Sequence, residues 1–192
     1  MYTPKLLQVA QIGHPVLRER AKEVKTPLAS ELREFCSDLV ATCQESEGMG
    51  IAAPQVYKSH RIIVMWPHPC ARYPNVPTWG GPTVMVNPEI VSHSEEEELG
   101  YEGCLSVPGI RALVPRRTSL KVCWDGPEDI SRAYSLEIDD PFWARVFQHE
   151  LDHLNGKMFL DRAKPRTIVT DKEYFRLLAV QQKPTRAKNK KK

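Results

Sequence analysis

No run of 18 or more apolar residues occurs in this chain of 192, so no segment reads as a membrane-spanning helix. The opening Met1-Tyr2-Thr3-Pro4-Lys5 has no apolar signal region and is not the long Arg/Ser-rich segment of a transit peptide. There are no internal repeats, which excludes a repeat array. Gly48 and Gly50 are not followed by Lys-Ser/Thr, so this glycine-rich turn is not a phosphate loop. Five cysteines without a framework spacing fit a reducing compartment better than a disulfide scaffold. These absences leave one cytoplasmic or organellar domain, long enough to bury a sizeable core.

What the chain does carry is His149-Glu150-Leu151-Asp152-His153. Two histidines four apart on a helix point the same way, so their ring nitrogens can meet on one metal ion. Glu150 stands beside that ion, where it can take a proton from water. The surroundings predict a true helix: Asp140 as N-cap, Pro141 in the first position, Gly156 just past the end. Phe142 and Val146 begin an apolar stripe that His149 and His153 continue, so the histidines face inward. The plainer reading is two buried histidines satisfied by backbone carbonyls.

A catalytic site of this kind needs a third protein ligand and one open position. The extended pattern H-E-x-x-H-x-x-G-x-x-H fails, because Phe159 stands where its last histidine would be. Glu173 is a candidate, but Thr170 and Glu173 read better as a capping box opening a helix. Among the cysteines, Cys36 and Cys43 lie on an apolar helical stripe with Leu28, Leu32, Phe35 and Leu39 and read as core. Cys123 lies in a strand-like run and also reads as core. Cys70 has only His68 nearby. Cys104, in Glu102-Gly103-Cys104-Leu105-Ser106, sits next to a glycine that lets backbone approach a ligand, and its thiolate could complete a Cys-His-His set.

Three segments now stand in order: Gly48-Met49-Gly50-Ile51-Ala52-Ala53-Pro54-Gln55, Glu102-Gly103-Cys104-Leu105-Ser106 and Gln148-His149-Glu150-Leu151-Asp152-His153. Together they resemble the peptide deformylases, over roughly residues 5 to 170. The resemblance implies a metal-dependent hydrolase that removes formate from the N-terminal formyl-methionine of new polypeptides. It implies Cys104, His149 and His153 as metal ligands, with Fe(2+) as the usual ion and zinc, nickel or cobalt able to replace it. Ligand type alone favours zinc. It further implies Glu150 as general base and acid, and the Gln55 amide and Leu105 backbone N–H as donors to the developing oxyanion. Gly50, Gly103 and Arg111 would contact the substrate, and Glu102 would form structural ion pairs. The plainer readings are a loop glutamine for Gln55, a solvated arginine for Arg111 and a surface charge for Glu102. Arg145, one turn before His149, faces the methionine pocket, and its surroundings resemble the subgroup that includes organellar enzymes.

The predicted fold is α+β, with antiparallel or mixed sheets packed around a central metal-binding helix in a single domain. Its elements are a helix over 27–43, strands over 62–65, 84–86, 119–124 and 133–138, the metal helix, and a last helix from about 171 to 182. Asp125 to Asp129 reads as a turn. The loop Pro67–Pro82, with five prolines, reads as a surface loop near the site. Glu95–Glu98 reads as a solvated loop or hairpin edge. Residues 1–182 would form the catalytic domain and 183–192 a basic, disordered tail. That tail holds six of the 27 basic residues; the remainder carries 21 against 24 acidic, a net charge of −3. Such a tail attracts polyanions and reads as a ribosome tether or a solubilising segment. Two competing functions are a zinc endopeptidase using Glu173 and a ribosome- or RNA-binding protein with a structural metal.

Overall fold

The computed structural model describes residues 2–25, 30–70, 74–127 and 133–181. Among these, five strands form one antiparallel sheet in the order β1-β2-β3-β6-β7. They are β1 (Gly50–Ala52), β2 (Ile62–Met65), β3 (Thr83–His93), β6 (Leu120–Asp125) and β7 (Ala133–Ile138). A smaller sheet joins β4 (Glu97–Cys104), β5 (Val107–Arg117) and β8 (Val169–Thr170) in the order β4-β5-β8. Helices α1 (Ser30–Glu45), α2 (Pro141–Leu154), α3 (Phe159–Arg162) and α4 (Asp171–Gln181) complete the α+β architecture. Helix α2 packs against β1 and β2 of one sheet and β5 of the other, the central position predicted for it.

The larger sheet is covered on both faces, which is why β2 is an unbroken apolar run rather than an alternating one. Successive side chains of a strand point to opposite faces. Ile63 and Met65 therefore pack with Phe147 and Leu154 of α2. Ile62 and Val64 pack with Phe35, Cys36, Leu39 and Cys43 of α1, so these two cysteines are core, as expected. The predicted start of α1, together with Leu28, lies outside the described residues, as do part of the Asp125–Asp129 turn and the tail 183–192.

One sequence expectation needs correction. Cys123 is half-buried, because Leu120 and Val122 take the core face of β6 and alternation leaves Cys123 on the other. The described part of the proline-rich loop does not line the cavity at the site. It docks on the first turn of α2, with the Trp79 and Trp143 rings 4.9 Å apart and Trp143 Nε1 donating to Pro77 O. The acidic run takes the second of its two readings, an exposed hairpin edge: Glu97 and Glu98 open β4, in register with Arg117 and Arg116 of β5.

Candidate metal centre and active site

Helix α2 begins as its sequence demands. The Asp140 carboxylate accepts from Phe142 N and Trp143 N, and Pro141 occupies the first turn. The helix ends at Leu154, and Gly156 follows with φ +68°. A Cβ there would also meet Arg18 O at 2.5 Å, so glycine is required twice over. His149 and His153, one turn apart on the inward face, are both buried, with ring centroids 5.0 Å apart.

Cys104 arrives from the smaller sheet, at the end of β4 where the hairpin turns through Leu105 and Ser106 into β5. Its Sγ lies 3.3 Å from His153 Nε2. One ligand atom each from Cys104, His149 and His153 lies within 4.8 Å of the others. This donor set, one thiolate and two imidazoles, fits a divalent transition-metal ion and leaves a fourth coordination position free. Glu173 is not part of it: its backbone N–H bonds Thr170 Oγ1 and its carboxylate pairs with Arg176. That removes the ligand on which the endopeptidase reading depended.

Charge is arranged to hold these rings. Glu102 Oε2 lies 2.9 Å from His149 Nδ1, which leaves the other ring nitrogen for a metal. Burial alone would raise the Glu102 carboxyl, but hydrogen bonds from Arg116 and His149 hold it well below the usual carboxylate range. Burial alone would lower His149, yet its bonds to Cys104 and Glu102 hold it well above the ordinary histidine value. Burial and the charge of His149 push His153 well below it.

Glu150 lies on the opposite flank. Burial pushes its carboxyl up to about 7, against the charge of His149. Its Oε2 is buried and has no partner among the described residues. Gly50 makes room for it: a Cβ there would lie 2.8 Å from Glu150 Oε1 and 3.0 Å from Val64 O. Gln55 is buried, its Oε1 accepting from Ala52 N at 2.8 Å. That bond orients the amide NH2 toward Ser106 Oγ at 3.3 Å and Cys104 Sγ at 3.5 Å.

Gly50, Gln55, Cys104, His149 and Glu150 line one cavity of about 300 Å³, together with Gly103, Leu105, Arg111 and Arg145. Arg111 is not a solvated arginine. Its side chain is 4% exposed, Nε donates to Asp171 Oδ1 at 2.6 Å, and the rings of Tyr174 and Phe175 flank the guanidinium. Sequence reasoning missed Asp171, which α4 brings to the cavity rim, and Arg116, which grips Glu102. Pro115 disguises the strand on which Arg116 lies, and nothing local marks Asp171 as more than a first-turn acid.

The polypeptide deformylase family model matches residues 6–168. The chain belongs to this family. A "Peptide deformylase 2" of Nostoc sp. is 42% identical over 176 residues, 91% of this chain and 96% of that protein. A solved class I type b peptide deformylase from Acinetobacter baumannii, bound to Met-Ala-Ser, superposes with a TM-score of 0.79 at 40% identity, covering 83% of this chain and 99% of that one. The peptide deformylase structure from Thermotoga maritima gives 0.73 at 35% identity over 84% and 99%. The deformylase motifs at 48–55, 102–106 and 148–153 are the segments that surround the cavity here.

Proposed function

We propose that this chain is a metal-dependent hydrolase that removes the formyl group from the N-terminal formyl-methionine of newly made polypeptides, releasing formate. The observation that carries this reading is one cavity lined by Cys104 and His149 of a Cys-His-His donor set, by a buried carboxyl near neutrality and by an oriented side-chain amide. Cys104, His149 and His153 would hold the ion. Family resemblance favours Fe(2+) as the native ion, with zinc, nickel or cobalt able to occupy the same site. When bound, such an ion supplies Lewis acidity and brings the pKa of water toward neutrality.

The protein groups divide the remaining work. Glu150 takes the proton of the attacking water and delivers it to the departing amine, which a carboxyl poised near 7 does well at neutral pH. The Gln55 NH2 and the Leu105 backbone N–H donate to the oxygen on which negative charge grows. Gly50 and Gly103, which line the cavity, would let the substrate backbone come close, and Arg111, also in the lining, would border the substrate peptide. Formate and a free methionine amino group leave.

The deciding test is formate release from a formyl-Met tripeptide by anaerobically purified protein, with metal content read on the same sample. Formate with about one ferrous ion per chain is expected. A metal-loaded protein that releases none would overturn the assignment.

We propose also that the basic tail tethers the enzyme to ribosomes, an idea supported by six cations without an acid over residues 183–192. Deleting the tail should weaken ribosome co-sedimentation at low salt while leaving peptide hydrolysis unchanged. Equal co-sedimentation of full-length and truncated protein would remove it.

A further inference from the structure

The proposed metal ligands come from two elements, Cys104 from β4 and the histidines from α2. The geometry of the site therefore depends on how that strand is held against that helix. Arg145 lies on α2, one turn before His149, with its side chain 10% exposed. Its guanidinium crosses to the smaller sheet. Nη2 donates to Glu98 O at 2.7 Å, and Nη1 donates to Val114 O at 2.8 Å and to Glu102 Oε1 at 3.1 Å. One planar group thus joins the helix to the backbone of β4, the backbone of β5 and the carboxylate that orients His149.

The contact is built for a guanidinium. A Cβ on Gly100 would lie 2.6 Å from Arg145 Cζ and 2.8 Å from Nε, so only glycine admits the group at this point of β4. Lysine, a point charge on a flexible stem, cannot span two strands and a carboxylate at once. A second tie exists: Arg116 grips Glu102 with Nε and Nη2 and reaches Asp152 of α2 with Nη1. Loss of Arg145 should therefore loosen the strand-to-helix distance without dismantling the fold. Arg145 also lines the cavity.

We infer that Arg145 is a positioning residue, which, with Gly100 as its receptor, sets the placement of Cys104 relative to His149 and His153. This rests on the ligand set proposed above. It adds a residue outside the three motifs on which the metal geometry depends.

The test uses the full chain loaded with cobalt(II), comparing wild type, C104S, R145M, R145K, G100A and the G100A/R145M double variant. The readouts are the thiolate-to-cobalt absorption, the d–d bands and the rate of cobalt release to excess chelator. Far-UV circular dichroism follows folding of each metal-free protein. R145M is expected to fold and to bind cobalt with shifted d–d bands. Loss of a group that orients a ligand typically weakens metal affinity by about 10–100-fold, and release should quicken accordingly. R145K should not restore the wild-type spectrum. G100A should reproduce R145M by expelling the guanidinium, and should cost nothing more once Arg145 is gone. Should R145M not fold, G100A alone carries the comparison.

Wild-type spectra and release rates in both R145M and G100A would overturn the inference, and so would additive losses in the double variant. A wild-type protein lacking the thiolate band that C104S should abolish would instead break the ligand set itself. The two failures are distinguishable.

Discussion

At the scale of the residue, the proposed chemistry concentrates on Glu150. It is buried, its Oε2 has no partner among the described residues, and burial places its carboxyl where a proton can be both accepted and returned near neutral pH. E150Q keeps the volume and removes that capacity. Its kcat for a formyl-Met peptide is expected to fall by about 10²–10⁴-fold. Metal content should stay at the wild-type level, because Glu150 is outside the donor set. Loss of metal together with activity would make it a ligand-supporting residue instead. Glu150 and both histidines could be read as candidates from their short helical spacing, and Cys104 only from its glycine-flanked segment and the family resemblance. Asp171 and Arg116 could not. Each acts through a partner distant in sequence, Arg111 and Glu102 respectively, and no local pattern records such a meeting.

Among elements, those with a period of their own could be read in advance. Strands β2 and β7 and helix α2 begin and end where apolar runs and caps place them. Hairpin β4–β5 could not, although it carries Cys104. Its first strand runs Glu-Glu-Leu-Gly-Tyr-Glu-Gly-Cys, with acids where alternation would put apolar residues. Those acids are matched by arginines across the hairpin, and buried Glu102 is held by Arg116 and Arg145. Pairing of charge, not burial of hydrocarbon, explains the strand.

A smaller element yields a titration test. The N-terminal arm is latched to α1 by Tyr2, whose hydroxyl bonds Asp38, and by Lys5 N, which donates to Asp38 at 2.6 Å. The hydrogen bond to Asp38, slight desolvation and the nearby acidic charge raise the Tyr2 hydroxyl to about 12, from an ordinary value of 10.0. A folded value above the unfolded one means the latch contributes fully below pH 10 and fades as pH rises through 12. Tyrosinate absorbance should therefore show a late step that Y2F lacks. Identical titrations would place Tyr2 free of Asp38 in solution.

For the molecule as a whole, the smaller sheet is joined to helices α2 and α3 through a buried network of charge. Arg116 sits between Glu102 and Asp152, all three nearly inaccessible, and Arg162 closes the far end on Asp152. R116M would leave two buried carboxylates facing each other without their shared cation. A loss of about 3–5 kcal/mol in unfolding free energy is expected, read from denaturant midpoints. A loss below about 1 kcal/mol would mean that Arg145 and Arg162 suffice to neutralise the pair. Among the described residues, no helix is long and apolar enough to cross a membrane.

The division of the donor set between a hairpin and a helix has one more consequence. An ion held at residues 104, 149 and 153 would act as a removable cross-link between the smaller sheet and helix α2, competent only in the folded chain. Folding would then be linked to metal supply by mass action: free metal at 100 times its dissociation constant adds about 2.7 kcal/mol. The melting temperature should climb with free metal and drop on chelation, and C104S should respond weakly to either. In a cell short of metal, idle enzyme would also be the enzyme most readily unfolded and degraded, so its abundance would follow the supply of its ion.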